Sequence, residues 1–187
     1  MKSIQWFLRY QILDFESFNS RDLALHAKDQ KNFNNESFVK IIQKDPDSLS
    51  TIMICTKDRA NVFATIIGIL DSENINFLDA KLFGMKNGFC LDFITISNQA
   101  GEVISKHSSA AKSLAIRLKE ALDQEVLSPK IVKRRQPKHL KHFNTDTIIK
   151  YKHDMTHRWT EVDIKTSDRP GLLASICQVF LDHGALI

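Results

Sequence analysis

The residues best suited to chemistry lie in two short polar turns, Thr56-Lys57-Asp58-Arg59-Ala60-Asn61 and Thr166-Ser167-Asp168-Arg169-Pro170-Gly171. Each precedes an apolar run with helical spacing. An aspartate in such a turn can accept backbone N–H groups of the first helical turn. Pro170 suits a first helical position, where its missing donor costs nothing, and Gly171 lets a ligand or another backbone approach closely. The bare amides of a helix start carry about half a positive charge, which suits a carboxylate. Asn61 adds an amide that both donates and accepts. An arginine here opposes the helix dipole slightly, so the recurrence of Arg59 as Arg169 favours a ligand. The chemistry expected is non-covalent recognition of a small molecule, with Asp58, Arg59, Asn61, Asp168, Arg169 and Gly171 as candidate effector-binding residues. Helix capping is the competing use of the same residues.

Positioning these turns requires strands before them and helices after them. TIMICT, from Thr51, is short, β-branched and apolar, and reads as a strand. Val62, Phe63, Ile66, Ile67 and Leu70 then fall on one helical face. Burying each side chain contributes roughly 1.5–3 kcal/mol. Residues 75–85 and FCLDFITIS from Phe89 read as an antiparallel hairpin around Lys86-Asn87-Gly88, with Asn-Gly suited to positive φ. Phe89, Leu91, Phe93 and Thr95 share one face of that strand, a pattern of core packing. Residues 105–124 make a second helix, and a short strand near Ile131 and Val132 closes the unit. The expected fold class is α+β, a ferredoxin-like βαββαβ unit with both helices on one face of an antiparallel sheet.

The turns recur because the sequence repeats. Laying 51–77 over 161–187 matches Ile54 with Ile164, Thr56 with Thr166, Asp58 with Asp168, Arg59 with Arg169, Ala64 with Ala174 and Ile66 with Ile176. Strand, turn and helix face coincide without a gap, which is the signature of a repeated supersecondary unit. The expected organisation is a helical tail and linker at 1–48, a first unit at 49–128, a basic linker at 129–157 and a truncated second unit at 158–187. That second segment, a first strand and helix, has no complete sheet to cover and is expected not to be stable alone.

Bulk properties narrow the class. The chain has 187 residues, 43% of them apolar and 26% charged, ordinary values for a globular protein. No apolar run is long enough to cross a bilayer, and the N-terminus lacks the pattern of a secretory signal. Cys55, Cys90 and Cys177 are scattered and sit in apolar segments, which argues against disulfides or a zinc site and suggests cytoplasm. The net charge of +4 is local: residues 130–142 hold six Lys/Arg, and the remainder has fewer basic than acidic residues. Such a tract can neutralise phosphates, but no aromatic stacking platform accompanies it, so nucleic acid is the lesser reading.

SDRPGLLASICQVFLDHGALI resembles the opening of an ACT domain, a small-molecule-sensing regulatory module with a βαββαβ plan. The first copy, with Asn61 after its turn, then Phe-Ala, then a DAK hairpin and FCLDFITI, resembles one version of it. Together with WFLRY near the start and RRQPKHLKHF before the second copy, it is similar to the C-terminal part of the bacterial PII uridylyltransferase/uridylyl-removing enzyme family. The resemblance implies tandem ACT domains that sense glutamine and set the balance of uridylylation and deuridylylation of the PII signal protein. It also implies that catalysis lies elsewhere. A nucleotidyltransferase centre needs Gly-Ser and paired acids holding Mg²⁺, and no Gly-Ser occurs. His153-Asp154 is the only His-Asp dipeptide, without a partner histidine cluster. The chain alone is therefore expected to be non-catalytic and to need no cofactor, Mg²⁺ being expected only in catalytic domains outside it. A homodimer through ACT pairing is a further expectation. The alternatives are an ACT protein sensing another amino acid, alone or in a different enzyme, and a ferredoxin-like RNA binder using the basic tract.

Overall fold

Strand β2 (Ser50–Lys57) is buried almost throughout and organises the main sheet. The computed structural model describes residues 36–85, 88–127, 146–156, 159–169 and 171–185. Strand β1 (Phe38–Ile42) lies antiparallel to β2 on one side, and β4 (Phe89–Ser97) lies antiparallel to it on the other. Strand β3 (Asn76–Gly84) forms the far edge, giving the order β1-β2-β4-β3. A bulge between Phe77 and Asp79 shifts its register. Helix α1 (Val62–Ser72) joins β2 to β3, and α2 (Ser109–Leu122) follows β4. The Ser108 side chain accepts from the Ala111 N–H and starts α2.

The alternation of β2 and β4 makes two cores. Ile52, Ile54, Ile94 and Ile96 face the helices and meet Val62, Ile66 and Leu70 of α1 and Leu114, Leu118 and Leu122 of α2. On the opposite face, Met53, Cys55, Phe89, Leu91 and Phe93 are buried with Met85. The shared face of Phe89, Leu91 and Phe93 is thus a packed one, as the sequence pattern requires.

A second, two-stranded sheet pairs β5 (Ile148–Asp154) with β6 (Trp159–Lys165). Helix α3 (Leu172–Asp182) follows and packs on α1. Among the described residues, the molecule is therefore α+β, with antiparallel sheets and three helices. No helix among them is long and apolar enough to cross a membrane.

The element order corrects the sequence expectation. Residues 38–42 were expected to belong to a polar, helical tail, yet they form the edge strand beside β2. Their apolar alternation is short and runs into Asp45-Pro46-Asp47-Ser48, which masks it as loop. Strand β1 gives β2 an antiparallel neighbour that the sequence expectation did not include. Ile131 and Val132, the helix-spaced segments before residue 36, Lys86-Asn87 and the basic tract lie outside the described residues.

The repeat is correspondingly longer than the sequence comparison suggested. Phe38 opposes Cys55 in the first hairpin, and Ile148 opposes Lys165 in the second, at one common offset of 110 positions. Helices α1 and α3 match end to end at that offset. The shared unit is thus strand, strand, helix.

Candidate functional site

The chain leaves β2 at Lys57 and enters α1 at Val62. The intervening corner is fixed by Asn61, the N-cap, whose backbone is left-handed at φ 74°. Gly171 occupies the same place before α3, also at φ 74°. Asparagine tolerates that conformation better than other side chains, and glycine adopts it freely. The repeated Asn/Gly position is therefore first a backbone requirement of the turn.

Neither helix start receives a side-chain cap. This corrects the expectation that Asp58 and Asp168 cap the first turns. The left-handed residue stands three positions beyond each aspartate and takes the N-cap itself. Asp58 instead donates its backbone N–H to the Gly88 carbonyl at 2.9 Å. Its Oδ2 lies 3.7 Å from where a Cβ on Gly84 would stand, so the bare Gly84 faces the carboxylate.

Arg59 and Asn61 reach away from the helix start towards the end of α2. Arg59 donates to the carbonyls of Leu122, Gln124 and Glu125 at 2.6–2.7 Å. The Leu122 carbonyl is one of those that a helix end leaves without an internal partner, and the other two follow just beyond α2. The Asn61 amide donates to the Leu127 carbonyl at 3.1 Å. Both side chains thus bind the corner to the segment that leaves the first repeat.

A cavity of about 350 Å³ lies at this corner, lined by residues 58–64 and by Leu181 of α3. Its size is in the range of small-molecule sites. It brings together Asp58, Arg59 and Asn61 of the sequence candidates. Asp168 and Arg169 are exposed at the second corner and do not line it. Sequence reasoning missed Leu181, and the helical spacing of Ala174, Cys177 and Leu181 was the available signal.

Below the corner, β4 carries Asp92, which is only 3% exposed. Burial pushes its carboxyl up to about 7, hydrogen bonds from the Cys90 thiol and the Phe83 backbone oppose this, and nearby Asp58 adds to it. Desolvation likewise pushes Cys55 up to about 12 and raises Cys90 further, holding both as neutral thiols. Among the described residues no group of three His, Cys, Asp or Glu comes together as metal ligands. The site's means are therefore a cavity, helix amides, a carboxylate and an amide, all suited to reversible binding.

A helix-covered antiparallel sheet, partly repeated and carrying a cavity at a strand-to-helix corner, defines a small α+β domain. Sequence comparison narrows this class. A bifunctional uridylyltransferase/uridylyl-removing enzyme of a Psychrobacter species is 35% identical over 133 residues, which is 71% of this chain and 15% of that enzyme. The enzyme of the same name in Vibrio parahaemolyticus is 32% identical over 160 residues, 82% of this chain and 18% of its own length. That of Vibrio campbellii is 27% identical across 94% of this chain and 20% of its own length. The chain belongs to this family, matching a part of its members. It spans about a fifth or less of the length of these relatives. No protein-family model and no solved structure matches it.

Proposed function

We propose that this chain is an amino-acid-sensing regulatory region of ACT type within a PII uridylyltransferase/uridylyl-removing enzyme, and that its effector is glutamine. The observation that carries the reading is the corner cavity of about 350 Å³, placed where the repeated Asp-Arg turn meets the start of α1. The effector's α-carboxylate is directed at the uncapped amides of residues 62–64, where the helix dipole favours negative charge. Its ammonium group faces Asp58. Family membership supports the enzyme context, and the sheet supports the ACT reading, since β1 takes the position beside β2 that the closing strand of a βαββαβ unit would hold. In that context Asp168, Arg169 and Gly171 form the counterpart corner of the second repeat. The PII signal protein is the partner of the whole enzyme, and the cytoplasm is its compartment. Chemistry on PII, with its Mg²⁺, belongs to other parts of the enzyme.

Thermal unfolding with glutamine and a panel of other amino acids tests this directly. A ligand at 100 times its dissociation constant adds about 2.7 kcal/mol of stability. Glutamine is expected to raise the Tm, with asparagine, glutamate and leucine giving smaller shifts. A larger shift with another amino acid would transfer the role to that effector, and no shift with any would remove the sensing role.

A further inference from the structure

We propose that the face of the main sheet turned away from the helices is a docking surface for the chain's own opening segment, residues 4–15, which lies across it as a second layer. The inference is independent of what the corner cavity binds.

Met53 and Cys55 of β2, Phe89, Leu91 and Phe93 of β4, and Met85 just beyond β3 form one cluster, with Phe38 and Phe83 packed against it. The described helices serve the other face, where α1 and α2 meet Ile52, Ile54, Ile94 and Ile96, and α3 rests on α1. Hairpin β5–β6 keeps its own residues mostly exposed. Side chains on one face of an open sheet stand in a single layer, and neighbours on strands about 4.8 Å apart do not shield their tips. Yet Met53 is 0% exposed, Cys55 and Leu91 are 1% exposed, and Phe93 is 8% exposed. Burial that complete requires another layer about 10 Å above the sheet.

Residues 1–35 fit that layer in position, shape and charge. They lead directly into β1, whose first residue, Phe38, packs against this cluster. The junction is pinned, since Ser37 donates its backbone N–H to Asp123 at 2.8 Å and its hydroxyl bonds that of Thr56 at 2.8 Å. Ile4, Phe7, Leu8, Ile12 and Phe15 recur at i, i+3, i+4, i+8 and i+11, one apolar helical stripe. At 1.5 Å per residue such a stripe is about 17 Å long, comparable with the roughly 14 Å between the outer strands of a four-stranded sheet. Lys40 and Lys81 flank the cluster on the same face, in register with Met53 and Phe93. Asp14, Glu16 and Asp22 supply the complementary charge.

The two faces give the test an internal control, because Cys55 belongs to this cluster and Cys90 to the one beneath the helices. In the full chain, Phe7→Glu is expected to speed iodoacetamide labelling of Cys55 about tenfold, since local opening exposes the thiol. Cys90 is expected to keep the rate of the unaltered chain. Zero-length carbodiimide coupling of the unaltered chain, mapped by mass spectrometry, is expected to join Lys40 or Lys81 to Asp14, Glu16 or Asp22 within one molecule. A Cys55 rate that Phe7→Glu leaves unchanged would overturn the proposal. If both thiols speed up together, the variant has lost its fold and the coupling decides, absence of any product between those lysines and the segment being the overturning result. Coupling only between molecules, with Cys55 protection that rises with concentration, would assign the face to a second copy of the chain instead.

Discussion

Asn61 combines two demands, a left-handed backbone and an amide bonded to the Leu127 carbonyl. The amide was legible in the sequence, whereas the backbone demand becomes visible only by aligning Asn61 with Gly171. The difference changes the choice of probe. Asn61→Ala would serve as a pure binding mutant if the corner were ordinary backbone. At φ 74° alanine is strained by roughly 1–2 kcal/mol. Asn61→Gly restores backbone freedom and removes only the side chain. Urea unfolding is expected to show the alanine variant less stable than the glycine variant by about 1 kcal/mol, while both lose the Leu127 bond. Equal stabilities would mean that the corner relaxes out of the left-handed conformation. Arg59 illustrates the opposite limit of sequence reading. Its recurrence suggested a ligand contact, but its guanidinium is engaged by the end of α2, more than 60 residues away in sequence, and local pattern cannot foresee such a contact.

At the scale of elements, periodicity was sufficient where an element has a dominant apolar face. Helix α1 and strand β4 were readable because Val62, Ile66 and Leu70, and Phe89, Leu91 and Phe93, repeat with clear spacing. Strand β1 was not, because four of its five residues are partly exposed and it leads into a proline-containing turn. The offset of 110 would have revealed it, had the repeat been extended backwards from Thr51 to Phe38. Strand β4 also holds a cost that its alternation hides, since Asp92 is a carboxyl on the helix-covered face. Its pKa in the folded state is about 7, above the roughly 3.9 of an unfolded aspartate. The folded chain therefore binds its proton more tightly. Stability is highest below the unfolded value and declines as pH rises from about 4 to 7, by an amount on the order of a few kcal/mol. Asp92→Asn is expected to flatten this decline and to stabilise the chain above pH 7. Urea midpoints measured at pH 4.5, 6 and 8 decide the matter, and a parallel pH dependence in wild type and variant would refute it.

Over the whole molecule, stability is distributed unevenly between the repeats. The first has four strands and two helices around two buried clusters. The second has a hairpin whose residues are mostly exposed and a helix that leans on its neighbour. A two-stranded hairpin is marginal in water without packing on one face, and complementary cross-strand pairs such as Lys150 with Asp163 and Lys152 with Glu161 contribute only a few tenths of a kcal/mol each. Native-state hydrogen exchange should therefore resolve three levels. Amides of β2 and β4 should exchange only through global unfolding, those of α3 through undocking from α1, and those of β5 and β6 through local opening of the lowest free energy. Increasing urea should lower the global level onto that of α3, because undocking α3 exposes less surface than unfolding the sheet and has the smaller m-value. If β5 and β6 exchanged as slowly as β2, the hairpin would have to draw stability from contacts that its exposed faces do not make, and the division of the molecule into a self-supporting repeat and a dependent one would fail.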